Sequence, residues 1–175
     1  MALKATIFKV NLSICDLNQH YYDDLALTVA QHPSENERRM MFRIVLFALH
    51  AKEKAIFTKG LCTQDEPELW THNLIGEIEH WIELGTPDLK RIKQACGKAR
   101  KVTIYTYQER ASIEWFESLK TSLERFNNLT IIHLKQANGI EIEALASRSM
   151  DLSVTIQDQE ICLANDAGQT CLMLS

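Results

Sequence analysis

The stretch from Asp65 to Lys93 concentrates side chains able to do chemistry. It reads Asp65-Glu66-Pro67-Glu68-Leu69-Trp70, then Ile78-Glu79-His80-Trp81-Ile82-Glu83-Leu84-Gly85, then Thr86-Pro87-Asp88 ahead of Lys90 and Lys93. Alternation over Ile78–Leu84 is that of a strand, with Ile78, His80, Ile82 and Leu84 on one face and Glu79, Trp81 and Glu83 on the other. An acid at the strand's end beside a tryptophan is costly to desolvate unless it meets water, a partner or a metal. Carboxylates converging on a strand end near a lysine suit a divalent metal and a water to be activated. Magnesium takes one or two carboxylates, several waters and a phosphate oxygen. It lowers the water's pKa and offsets charge at the phosphate, while the lysine holds the water or stabilises developing charge.

The elements that must position these groups follow from pattern. Ser34 and Glu37 form a capping box behind His32-Pro33, predicting a helix to about Lys52. Its apolar stripes (Met41, Ile44, Val45, Ala48 beside Phe42, Leu46, Leu49) predict deep packing, with Arg39, Arg43 and His50 facing solvent. As an acid ahead of this helix, Glu35 is also explained by the helix dipole. Short strands are predicted at Ala55–Thr58, ended by Gly60, and at Glu68–His72, the latter pairing with Ile78–Leu84. Thr86-Pro87-Asp88 predicts a helix capped by Thr86 and running to about Lys98. A buried strand over Val102–Tyr107, a helix over Ser112–Glu124 and a strand over Leu129–Leu134 come next. The Ser112–Glu124 helix carries Ile113, Phe116 and Leu119, with Trp115 beside them.

At the N-terminal end Ala5–Leu12 reads as a strand. Leu17–Gln31 fits strand or helix, with strand favoured over Asp24–Ala30 after a turn near Asp16 and Asn18. Towards the C-terminal end Ile140–Leu145 reads as helical. Asp151–Gln157 and Glu160–Leu163 read as a hairpin turning at Asp158-Gln159, and Thr170–Leu174 as a last strand. The fold class is therefore α/β (α+β), with extra β structure at both termini.

Bulk properties narrow the function classes. At 175 residues the chain suits one domain, 1–175, and its net charge of -4 gives no global footprint for nucleic acid. The cluster Lys98-Ala99-Arg100-Lys101 is a local basic run that suits phosphate contact or a solvated helix end. Cys15, Cys62, Cys96, Cys162 and Cys171 are scattered without a Cys-x-x-Cys pair, so reduced thiols are expected rather than a zinc site or disulfide framework. The N-terminal residues lack the apolar core of a signal peptide, and Ile44–Leu49 is too short to span a bilayer. A cytoplasmic protein is expected. His32 and His72 lack a Ser or Cys partner by spacing, which favours structural roles.

Ala2-Leu3-Lys4-Ala5-Thr6, His32-Pro33-Ser34-Glu35, Gly60-Leu61-Cys62, Asp65-Glu66-Pro67-Glu68 with Trp70, and Trp81-Ile82-Glu83-Leu84-Gly85 with Pro87-Asp88 and Arg91-Ile92-Lys93 resemble the bacterial YaeQ proteins over essentially the whole length. That family has no firmly assigned activity. The resemblance implies a variant of the PD-(D/E)XK nuclease superfamily, whose core runs helix–three strands–helix–strand, and a Mg2+- or Mn2+-dependent activity on DNA or RNA. Its pattern implies Glu35 as the helix acid, Glu68 as the acid of the second core strand with Asp65 as rival, and Glu83 on the third. The metal would then be held by Glu68, Glu83 or Asp65. Gly85 stands where the pattern places a lysine. Some members supply it from the next helix, which here offers Lys93 or Lys90; Lys93 follows the stripe of Leu89 and Cys96. The alternative is a catalytically degenerate binding or regulatory module, in transcription or nucleic-acid maintenance.

Overall fold

In a computed structural model, the described residues are 4–59, 61 and 63–175. The motif residues Ala2, Leu3, Gly60 and Cys62, and with them the strand stop expected at Gly60, lie outside the described residues. The chain divides into two compact units, Met1–Lys52 with Gln136–Leu174, and Glu53–Lys135 with Ser175.

The first unit is built on long strands. β1 (Thr6–Asp16) and β2 (Tyr21–Gln31) form an antiparallel hairpin, so the ambiguous second segment is a strand. β1 also pairs in parallel with β8 (Ser149–Gln157), which continues antiparallel through β9 (Glu160–Asn165) to β10 (Gly168–Leu174). Alternating burial sends Phe8, Val10, Leu12 and Ile14 of β1, and Met150, Leu152, Val154 and Ile156 of β8, to the core. The β8–β9 turn at Asp158-Gln159 is where the sequence places it, and Ile142–Leu145 is a short 3-10 helix.

α1 (Glu37–Leu49) starts later than the capping box predicts. Asn36 is the cap, its Oδ1 accepting from the Arg39 N–H at 2.8 Å, because the Ser34 hydroxyl is engaged by His32 Nδ1 at 2.6 Å. Arg43 and His50, expected in solvent, are buried. For Arg43 the reason is a buried acid, described below.

The second unit holds β3 (Ile56–Phe57), β4 (Leu69–His72), β5 (Ile78–Leu84), α2 (Leu89–Lys98), β6 (Ala99–Thr106), α3 (Glu109–Leu123) and β7 (Leu129–Gly139), whose residues through Lys135 belong to it. β3, β4 and β5 are antiparallel, whereas β5, β6 and β7 are parallel, joined by α2 and α3 as crossovers. Trp81, Ile92, Ala95, Val102, Ile104 and Leu123 form the core beneath these helices. Burying the sheet on both faces explains why β5 is inaccessible at every position from His80 to Leu84. On α3 the buried stripe is Ser112, Trp115, Leu119 and Leu123, so Ile113 and Phe116 are exposed rather than core.

The reading of five reduced thiols does not hold for one pair. Cys162 and Cys171 stand opposite each other in the β9–β10 register, 4.1 Å apart at Cα, and are joined as a disulfide. Their spacing in sequence carries no sign of that register. Cys15 and Cys96 are free.

Candidate functional site

Glu83 is the centre of the expected site. Strand periodicity puts it on Trp81's face of β5, and Trp81 Nε1 donates to Glu83 Oε2 at 3.0 Å. The antiparallel register Leu69↔Ile82 sets Glu68, just before β4, opposite Glu83. The Glu68 N–H donates to the Ile82 carbonyl at 3.1 Å, and both residues are buried. The structure thus brings Glu68 and Glu83 together, as expected. Burial holds the Glu83 carboxyl above the usual carboxylate range and the Glu68 charge adds to the rise, while Arg91 and the Trp81 N–H oppose it.

The cation beside Glu83 is Arg91, not Lys93. Arg91 Nη2 lies 3.0 Å from Glu83 Oε1, and the guanidinium also donates to the carbonyls of Gln64 and Glu66 at 2.7 Å each. Helix geometry gives the reason. The fully buried positions of α2 are Ile92 and Ala95, and at about 100° per residue an arc centred between them leaves Arg91 on its shoulder. Lys93 lies farther round, is exposed, and makes no hydrogen bond or ion pair among the described residues; Lys90 is likewise exposed. The helix is capped by Asp88, whose Oδ1 accepts from the Arg91 N–H at 2.8 Å, and not by Thr86, so its first turn carries Arg91 into place. Gly85 is at φ +106 with open space where a Cβ would stand, which is why glycine ends β5. Accordingly Lys93→Ala is expected to change stability by no more than about 0.5 kcal/mol in thermal or urea unfolding.

The remaining candidates are held in other ways. Asp65 is exposed, accepting from Gln94 Nε2 at 2.6 Å and facing Lys98 Nζ at 3.7 Å, which turns it toward the outer side of α2. Glu35 belongs to the first unit, where its two oxygens meet Arg39 Nη1 at 2.8 Å and Arg43 Nη1 at 2.9 Å. Its side chain is fully buried. Glu35 is thus the anchor that draws Arg43 inside. The basic run after α2 is matched by acids, Arg100 pairing with Glu77 at 2.8 Å and Glu79 at 3.3 Å.

A divalent cation needs several oxygens aimed at one point. Both Glu83 oxygens are engaged by N–H donors and Asp65 faces α2. Among the described residues no group of three ligand atoms within 4.8 Å of one another contains Asp65, Glu68 or Glu83. As arranged, Glu83 is answered by N–H donors and Asp65 faces away, so these acids do not together aim three oxygens at one point.

Sequence reasoning missed Arg91, which was visible only as a flank of the Arg91-Ile92-Lys93 motif. It also missed a hydrogen-bonded chain on the other face of β5, buried at His80 and Thr103 and exposed at Glu53. His80 Nδ1 meets Glu53 Oε2 and His80 Nε2 meets Thr103 Oγ1, each at 2.8 Å. The β5–β6 register, with Ile82 opposite Thr103, brings these two residues to one face. The only sequence signal for it was His80 falling among apolar residues.

The YaeQ protein family model matches residues 1–173. The chain belongs to the YaeQ family. It is 43% identical to the uncharacterized protein YaeQ of Escherichia coli (strain K12), over 95% of this chain and 92% of that protein. It is 41% identical to the uncharacterized YaeQ of Salmonella typhi, over 94% and 91%. The crystal structure of YaeQ from Xanthomonas axonopodis pv. citri is similar at 34% identity and a TM-score of 0.87, covering 97% of this chain and 96% of that one. That of the Pseudomonas syringae protein is similar at 28% identity and 0.87, covering 98% and 94%. These YaeQ relatives place the mixed α and β architecture in a known structural group. No helix among the described residues is long and apolar enough to cross a membrane.

Proposed function

We propose that this YaeQ-family chain is a binding or regulatory module built on a nuclease-like core that does not turn over phosphodiesters. The order α1–β3–β4–β5–α2–β6 matches the helix–three strands–helix–strand succession of the PD-(D/E)XK superfamily and supports the relationship. The observation that carries the reading is Arg91 on Glu83. A guanidinium with two carbonyl partners neutralises the acid around which metal chemistry would have to be organised, and among the described residues no lysine pairs with it. A role around transcription or nucleic-acid maintenance follows from the resemblance rather than from charge, since the run near Lys98 is matched by acids.

The opposing reading, a Mg2+-dependent nuclease on DNA or RNA, draws on the Glu68–Glu83 juxtaposition. Paired buried acids gain from any cation that replaces one held less tightly. Calorimetric titration of Mg2+ and Mn2+ into the wild type, Glu83→Gln and Arg91→Ala separates the two. The module reading expects no saturable heat from the wild type up to millimolar metal. Saturable binding that Glu83→Gln removes, accompanied by cleavage of a DNA or RNA substrate, would establish the nuclease.

A further inference from the structure

The second unit carries a cleft that neither Glu83 nor any metal reading uses. β5, β6 and β7 are parallel, so their carboxyl ends lie at one end of the sheet, where ligands of such sheets characteristically bind. Thr106 closes β6 there, with His133 of β7 opposite it in register. A cavity of about 300 Å³ opens at this point, lined by Thr106, Ser112, Trp115, Phe116, Ile131 and His133.

Its lining combines apolar and polar groups. Trp115, Phe116 and Ile131 supply an apolar wall, and the exposed Ile113 extends it at the mouth. Trp115 is fixed in place, because its Nε1 donates to the Pro87 carbonyl at 2.7 Å. The floor is polar. Ser112 is 5% exposed, yet its Oγ has no hydrogen-bond partner among the described residues. Native proteins rarely leave such a hydroxyl unsatisfied. His133 Nδ1 is engaged by Thr106 Oγ1 at 2.8 Å, whereas its Nε2 has no partner among the described residues. Burial, helped by Lys135, holds the imidazole below the usual histidine range against the pull of Glu109. The ring is therefore neutral at physiological pH, with one nitrogen free to donate or accept.

We propose that this cleft binds an uncharged, planar heteroaromatic ring that lies against the Trp115–Phe116 wall and turns a donor–acceptor edge to Ser112 Oγ and His133 Nε2. Aromatic walls with a few convergent polar atoms are the usual make-up of a small-molecule site. An anion is opposed by Glu117 on the lining and by Glu109 near His133. A cation would have to leave water for a hydroxyl and a neutral imidazole, which do not replace its hydration. The inference goes beyond the module reading and does not involve Glu83, so the metal titration and the ring titration succeed or fail separately.

The test is an NMR titration of the 15N-labelled full chain with adenine, following the Trp115 indole N–H and the His133 ring, with toluene as the edge-free control. Adenine is expected to saturate with a Kd of about 1 mM or tighter, a modest demand on a ring of roughly ten heavy atoms. Toluene is expected to bind more weakly. Ser112→Ala should weaken adenine by about 2- to 10-fold, the value of one hydrogen bond, and should leave Tm unchanged or raised because it removes an unsatisfied group. Phe116→Glu should abolish binding. Any of three results overturns the proposal: no saturable shift up to about 10 mM adenine, toluene binding as tightly as adenine with Ser112→Ala unchanged, or a Ser112→Ala protein that loses its fold.

Discussion

Arg91→Ala is expected to destabilise the protein by about 3 kcal/mol at pH 8, the lower end of the range for removing one partner of a buried ion pair. Arg91 is the only cation paired with Glu83 among the described residues, and its loss leaves Glu83 buried opposite Glu68. The figure sits at the low end because Arg91 itself is partly exposed. The pH dependence has a definite sign. The Glu83 carboxyl already titrates above its usual range in the folded protein, and Arg91 is the strongest influence opposing that rise. Removing Arg91 raises the folded pKa further. A group whose folded pKa exceeds its unfolded one contributes stability that is fully present below the unfolded value and lost as pH climbs through the folded value. The Arg91→Ala deficit should therefore be small near pH 4 and grow toward pH 8. Urea unfolding at several pH values measures it. Adding Glu83→Gln to Arg91→Ala should recover most of the loss at pH 8, since the neutral amide keeps the shape without the charge. A loss independent of pH, or a double variant no better than the single one, would mean that Arg91 acts through the Gln64 and Glu66 carbonyls instead.

The same pair of residues marks how far the sequence could be read. β5 was legible to its ends, because alternating Ile78, His80, Ile82 and Leu84 against Trp81 and Glu83 is a local pattern. So was the turn at Asp158-Gln159. The Glu68–Glu83 juxtaposition was legible too, since it needs only the antiparallel partner and a count of residues. Which cation answers Glu83 was not. Leu89, Ile92, Ala95 and Cys96 define an apolar arc wide enough to admit Lys93 on one side or Arg91 on the other. The choice is made by how deeply Ala95 is buried, a property of the packed helix and not of its sequence. Exposure on α3 failed for a related reason. Ile113 and Phe116 are apolar, yet the stripe that packs is the one three and four residues apart through Ser112, Trp115, Leu119 and Leu123. That exchange leaves Phe116 and the buried hydroxyl together in the cleft.

Glu35 carries the second large effect, and it separates an acid that does chemistry from one that holds the fold. Glu35→Ala is expected to cost about 3–5 kcal/mol, because it removes a fully buried carboxylate that answers two guanidiniums, Arg39 and the buried Arg43. Arg43 also donates to the Ala30 carbonyl at 3.1 Å, a neutral acceptor that does not replace the lost carboxylate charge. Glu35→Gln should cost less than Glu35→Ala, since the amide oxygen still accepts one hydrogen bond, but more than a surface change. A chain in which Glu35 served only as a metal acid would respond in the opposite way. Its substitution would lower cleavage or metal affinity and leave Tm near the parent value, or raise it by relieving repulsion among acids. Thermal unfolding of the two variants, with the metal titration repeated on Glu35→Gln, distinguishes these outcomes. Arg43→Met then provides the complementary test. With the guanidinium replaced by an apolar chain of similar length, Arg39 still answers Glu35, so the loss should be smaller than for Glu35→Ala. An Arg43→Met loss equal to or above that of Glu35→Ala would place the main debt on Arg43's other contacts and not on the acid.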